Sequence, residues 1–307
     1  MTHWRSFVAA SILLGGCAGD PDAVDPNDTG GSVDTDAGSS FPTDPHVDTY
    51  IPRSFPPTDP VRLVFLGDSI TDGAGASSTS KQYVQLLQVN DSSAWPDADA
   101  LDLETSFPGI TEVIDVSFGG ATISSLQSQQ IPELESILSL PASGQTIFVV
   151  TIGGNDAQQA LNPFADADSI MTTALSKFDT MTDWFLDPAN FPDGAYLYAA
   201  NLYEPSDGTG QSECFFGFNY SDRLSALEEM NEGVYQMGMD KGFAVVDMWR
   251  HFSGHGFNSA DSGVFGYDAD DPTNWFANDC IHPNDRGHHE LRRLFHAAIE
   301  GHGLPIE

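Results

Sequence analysis

Val61-Arg62-Leu63-Val64-Phe65-Leu66-Gly67-Asp68-Ser69-Ile70 is a short apolar run that breaks at a glycine and then presents an acid and a serine. Runs of this length, bounded by turn residues, mark strands buried on both faces. The same pattern predicts strands at Val113–Val116, Thr146–Ile152, Ala195–Asn201 and Phe243–Val246. Between them apolar residues recur at helical spacing: Ile170, Ala174, Leu175, Phe178 and Met181, then Leu224, Leu227, Met230, Val234 and Met237 before Gly242. A last stripe of Leu291, Leu294, Phe295, Ala298 and Ile299 follows the capping candidates Asn284 and Asp285, and leaves Arg292 and Arg293 on the wet face. Strands alternating with helices predict an α/β domain with a parallel sheet covered on both faces. In such sheets ligands bind beyond the carboxyl ends of the strands, so polar residues just after each strand are the candidates for chemistry.

Four such places stand out. After the first strand, Ser69 sits at a predicted strand-to-helix turn, where Gly67 allows a tight backbone and a helix start would supply positive potential. After the second, Ser117-Phe118-Gly119-Gly120-Ala121-Thr122 offers a bare N–H before a helix. After the third, Gly153-Gly154-Asn155-Asp156 places a side-chain amide where it can donate to a developing oxyanion. Near the C-terminus, Asp279-Cys280-Ile281-His282 puts a carboxylate three residues before an imidazole. That spacing lets the acid fix the histidine tautomer and stabilise the imidazolium once the other nitrogen takes a proton. Each signal alone is also an ordinary turn or surface pair; their shared order and placement give them joint weight.

Taken together, these blocks resemble the SGNH or GDSL hydrolases over residues 61 to about 300. The resemblance implies a three-layer flavodoxin-like fold around a five-stranded parallel sheet, with Ser69 as nucleophile, His282 as base and Asp279 as its orienter. It implies an oxyanion hole of the Ser69 N–H, the Gly120 N–H and the Asn155 side chain, and Asp68, Gly153 and Asp156 are expected around the substrate. One departure is present: Asp115 and Ser117 stand where the family's glycine block usually opens with asparagine and a further glycine, so Gly119 is kept as the alternative donor to Gly120. The implied activity is hydrolysis of carboxylic esters through an acyl-enzyme, with no cofactor and no metal.

Outside this domain the composition changes. Arg5 precedes an apolar run, Phe7 to Leu14, too short for a permanent span, which ends in Leu14-Gly15-Gly16-Cys17 and is similar to a lipoprotein signal with Cys17 as the acylated residue. By that resemblance, Ala18 rather than Asp after the cysteine implies sorting to the outer membrane. Residues 17–60, rich in Asp, Gly, Ser, Thr and Pro, bury too little apolar surface to offset their ordering entropy and read as a tether, leaving 61–307 as the hydrolase domain and 1–16 as the signal. An exported compartment lets the remaining thiols, Cys214 and Cys280, oxidise, and a disulfide between them is expected, with two inert buried thiols as the competing reading.

A net charge of -34, from 45 acidic and 11 basic residues, argues against nucleic acid and against anionic polymers as partners. It fits a hydrated, salt-tolerant surface. Calcium at Asp268, Asp270 and Asp271 lacks a full loop pattern. His282, His288 and His289 read poorly as a metal cluster because adjacent helical histidines face different ways, and His255 reads as a loop residue rather than a cleft residue. The expected partner is a small-molecule or glycan ester, with a short acyl group on a sugar or small alcohol favoured because no long apolar lid segment is evident. No protein partner is expected. Two other functions are consistent with the same residues: a surface glycan-binding lipoprotein, whose mark would be a broken triad, and an acyltransferase that uses the same acyl-enzyme but excludes water.

Overall fold

The computed structural model of the protein describes residues 56–211 and 219–301. The expected signal segment, nearly all of the tether, Cys17 and Cys214 lie outside them.

Five strands form one sheet: β1 (Pro60–Gly67), β2 (Glu112–Asp115), β3 (Gln145–Thr151), β4 (Ala195–Ala200) and β5 (Ala244–Val246). They run parallel in the order β2-β1-β3-β4-β5. Successive side chains on a strand point to opposite faces, so a strand apolar at every position must be covered twice. That is how β1 is used. Val64 and Leu66 pack into one core with Phe148, Val150 and Phe178, whereas Leu63 and Phe65 pack into the other with Ile147, Val149 and Phe295.

The helices around the sheet are α1 (Tyr83–Gln88), α2 (Leu103–Ser106), α3 (Ile123–Ser125), α4 (Ile131–Ile137), α5 (Gly154–Leu161), α6 (Ala167–Leu186), α7 (Leu224–Lys241), α8 (Met248–Phe252) and α9 (Asp285–Glu300). A π turn, Leu126–Gln130, joins α3 to α4. The predicted stripes lie on α6, α7 and α9. Helix α6 begins where Asp166 accepts from the Ser169 N–H, and α7 stops at Gly242, whose left-handed φ of 79° suits glycine. Helix α9 begins at Asn284, which accepts from the N–H groups of Arg286 and Gly287.

Two expectations need correction. Arg292 is not on a wet face: it is fully buried, donating to Asn90 Oδ1 and the Leu101 carbonyl at 3.0 Å and pairing with His289 Nδ1 at 2.7 Å. The cause is the segment between α1 and β2, which folds over α9 and stacks Trp95 on His289 with ring centroids 3.8 Å apart. Nor does a helix follow Ser69 directly. The chain makes one helical turn, with Asp72 N–H donating to the Asp68 carbonyl and Ala74 N–H to that of Ser69, and α1 starts only at Tyr83. The segment after Ser69 therefore supplies no helix macrodipole of its own.

The strand order sets the location of the site. From β1 the chain crosses to β2 on one side and then to β3 on the other, so the segments leaving β1 and β3 diverge and open a crevice between them.

Candidate active site

Gly67 ends β1 against β3 so closely that an added Cβ would lie 2.1 Å from the Thr151 carbonyl oxygen, and its φ of 143° is one that L side chains rarely adopt. Only glycine fits there. Its N–H and carbonyl are both held by the side-chain amide of the fully buried Gln130, at 2.8 and 2.7 Å. The Asp68 N–H then donates to Thr151 at 3.0 Å, and Ser69 emerges at the crevice.

His282 reaches the same place from the other end of the sequence. Its Nε2 lies 2.7 Å from Ser69 Oγ and its Nδ1 2.7 Å from Asp279 Oδ2. The second Asp279 oxygen accepts from the N–H groups of Ile281 (3.1 Å) and His282 (3.0 Å). Burial alone would raise the Asp279 carboxyl, but the hydrogen bonds from His282 and Ile281 outweigh it and hold the group below its ordinary value. An ionised Asp279 only accepts, so Nδ1 carries the proton and Nε2 is left to accept from the Ser69 hydroxyl.

The two halves are laced together by the segment after Ser69. Gly75 lies so close to the histidine loop that a Cβ would meet the Pro283 carbonyl oxygen at 2.1 Å and His282 Cβ at 2.9 Å. Asp285 accepts from the N–H and hydroxyl of Ser77 and from Lys81 Nζ, each at 2.7 Å. His288 donates from Nε2 to the Ala74 carbonyl at 3.0 Å while its Nδ1 accepts from the Tyr83 N–H.

Of the expected oxyanion donors, Asn155 lines the same cavity as Ser69. Gly119 spends its N–H on Asp72 Oδ2 at 3.1 Å, whereas the N–H groups of Gly120 and Ser69 have no hydrogen-bond partner among the described residues. Between the two glycines this favours Gly120, whose φ of 82° turns the chain beside open space. Asn155, in the first turn of α5, donates one amide hydrogen to the Ala121 carbonyl at 2.8 Å, and the other has no acceptor among the described residues. The departure at Asp115 and Ser117 has a local use: Asp115 Oδ1 accepts from the Ser117 N–H and hydroxyl and shapes the turn into the glycines.

Of the three residues expected around substrate, the structure separates one from two. Asp68 lines the cavity beside Ser69, and burial pushes its carboxyl up to about 7, against the Ile70 N–H and with help from the nearby Asp156 charge. Asp156 is not in that wall; it accepts from the Ile123 N–H at 3.0 Å and clamps α3 to α5. Gly153 is the left-handed residue that starts α5, and its missing Cβ faces Met230, Leu202 and Ile123. Both shape the site through backbone geometry instead of contact with the cavity.

The cavity holds about 60 Å³ and runs from Ser69 and Asn155 between Leu161, Leu202, Tyr203 and Ile281, with mainly apolar walls. His255 is not among its lining residues; it stacks on Trp275 with centroids 3.5 Å apart. Among the described residues no group of three or more His, Cys, Asp or Glu is arranged to hold a metal ion, and Asp271 pairs with Arg286. Residues missed by sequence reading are Gln130 and Tyr203, positions with no motif around them; Asp285, read as a capping candidate, also holds Ser77 and Lys81.

A search by sequence found no match among curated proteins. Solved structures match by shape. A gut microbial diltiazem-metabolizing enzyme aligns with a TM-score of 0.52 at 19% identity over 80% of this chain, and this chain spans only 48% of that one. An acetylxylan esterase from Geobacillus stearothermophilus aligns with a TM-score of 0.50 at 17% identity, over 78% of this chain and 94% of its own. The acetyl xylan esterase AlAXEase gives 0.51 at 16%, over 78% and 100%. At these identities the likeness shows the fold. Residues 65–290 match the GDSL-like Lipase/Acylhydrolase family, and with most of the domain covered the chain belongs to that family of carboxylic ester hydrolases.

Proposed function

We propose that this chain hydrolyses carboxylic esters through an acyl-enzyme on Ser69. The observation that carries the reading is the unbroken chain Asp279–His282–Ser69, with both hydrogen bonds at 2.7 Å. His282 Nε2 takes the Ser69 proton as Oγ attacks the ester carbonyl, forming the C–O bond of a tetrahedral intermediate. The Ser69 and Gly120 N–H groups and the remaining Asn155 amide hydrogen stabilise its oxyanion. The imidazolium then protonates the departing alcohol, and water repeats the sequence to release the acid and free Ser69. Asp68 lines the cavity wall beside Ser69, and no step is assigned to it.

Size supports a short acyl group. The space beside Ser69 is about 60 Å³, smaller than the ~150 Å³ of a cavity known to take benzene, which favours an acyl group of a few carbons. Acetyl esters of a sugar or small alcohol are the favoured class; acetyl xylan, in the names of two structures of this fold, is an ester of that kind. The test is p-nitrophenyl ester hydrolysis from acetate to palmitate by the wild type and by Ser69→Ala. We expect serine-dependent turnover with a short-chain optimum; residual wild-type activity in a folded Ser69→Ala protein would overturn the assignment. Adding alcohol acceptors separates transfer from hydrolysis by product.

The N-terminal motif supports export as a lipoprotein anchored through Cys17 to the outer membrane, with residues 17–60 as tether to a 61–307 hydrolase domain. Among the described residues no helix is long and apolar enough to cross a membrane. Incorporation of labelled palmitate that Cys17→Ser abolishes is the expected result. The pairing of Cys280 with Cys214 belongs to the same reading, since Cys280 stands between Asp279 and His282 in the sequence. Two free thiols in the mature protein would refute it.

A further inference from the structure

Tyr203 lies just beyond β4, outside every motif of the family, and touches both the cavity and the histidine loop. Its ring lines the cavity together with Ile281. Its hydroxyl donates to the Ile281 carbonyl oxygen at 2.5 Å. Stacking on Phe252 at 5.2 Å and edge contact with Phe276 at 4.9 Å fix the ring, and Phe276 itself pairs with Pro283 across the base of the loop.

The anchor behind Tyr203 is rigid. The buried Asn231 side chain on α7 makes both hydrogen bonds to the backbone of Leu202, at 2.8 Å each, and Asn201 Nδ2 donates to Asp247 at 2.7 Å. Tyr203 therefore reaches the loop from a fixed sheet end. The carbonyl it holds belongs to the peptide unit whose N–H is that of His282, and this N–H donates to Asp279 at 3.0 Å. Hydrogen bonds in series through one peptide unit polarise one another, so a donor at the oxygen strengthens the N–H at the other end.

We propose that Tyr203 is a positioning residue of the active site: its hydroxyl, acting through the Ile281–His282 peptide, fixes the Asp279–His282 pair while its ring forms a wall of the acyl cavity. The proposal rests on the esterase reading above. Two roles in one side chain make it separable by substitution. Tyr203→Phe removes the hydroxyl and keeps the wall; Tyr203→Leu removes both.

The experiment measures kcat and KM on the p-nitrophenyl series for wild type, Tyr203→Phe and Tyr203→Leu, each normalised to the serine titrated by an organophosphate, so that misfolded protein is not counted. For Tyr203→Phe we expect kcat per titrated site about tenfold lower, with KM and chain-length preference unchanged. For Tyr203→Leu we expect the same loss of kcat together with a shift of the preference to longer chains. A Tyr203→Phe protein with wild-type kcat per site, or one changed only in KM, would overturn the positioning role while leaving the esterase reading intact. A wild type silent on every ester and unlabelled at Ser69 would overturn both.

Discussion

At the scale of single residues the site depends on a few closely held positions, Asp279 and Gly75 among them. Asp279 makes three hydrogen bonds, two to backbone and one to His282 Nδ1. Asp279→Asn keeps the shape but offers an amide where an anion is needed, which favours the wrong histidine tautomer. Its kcat is expected to fall by ~10²–10⁴-fold with little change in melting temperature. Gly75 is a subtler case. A methyl group there would sit 2.1 Å from the Pro283 carbonyl at a φ of 93°, so Gly75→Ala must push the histidine loop away from Ser69. Esterase assay with circular dichroism should find at least tenfold lower turnover in a protein of native secondary structure, because a small displacement of reacting groups costs about that much. Wild-type turnover would show that the loop tolerates the shift.

Helix α9 shows how one element carries both scaffold and site. Its start holds Asp285 and His288 against the segment after Ser69, and further along it buries Glu290, Arg292 and His289. Removing Arg292 would leave Asn90 Oδ1, the Leu101 carbonyl and His289 Nδ1 without that donor, so Arg292→Ala is expected to cost about 2–4 kcal/mol and to open residues 89–102 to limited proteolysis. The same helix has a pH signature. Burial lowers His289 to about 3, so it is neutral in the fold while the unfolded chain takes up a proton near 6.5. Its contribution to stability is therefore complete above that value and is lost as pH falls from 6.5 towards 3. Asp68 and Asp207, raised by burial to about 7 and 6, act with the opposite sign over part of this window. The clean measurement is thus a difference: His289→Gln, which keeps an acceptor for Arg292, should lose melting temperature less steeply than wild type between pH 6.5 and 3. Parallel curves would show that His289 is protonated in the fold.

For the whole molecule, charge is the dominant surface property. A formal charge of -34 imposes self-repulsion on the compact state that falls as salt shortens the Debye length from ~30 Å at 0.01 M to ~3 Å at 1 M. Melting temperature at pH 7 should rise over that range of sodium chloride. A flat or falling curve would show that local ion pairs such as Lys241 with Asp179 and Asp183 outweigh the general repulsion.

Strand positions, the parallel sheet and the order of the four site segments were legible in the sequence because each depends on local pattern: apolar runs of strand length, turn residues at their ends, and an acid and histidine three residues apart. What a surface helix face meets is not local. The stripe on α9 marked its apolar side, but a charged residue is buried wherever distant groups satisfy it, and Asn90 and Leu101, both far from Arg292 in sequence, do so. For the same reason the choice between Gly119 and Gly120 needed Asp72, and the roles of Gln130, Asp156 and Tyr203 needed the partners that each meets. By itself the sequence determined which residues end the strands and which chemistry they carry; only the tertiary structure decided which polar groups are already spent on one another and which remain free for a substrate, because a hydrogen bond is made by atoms that meet in space.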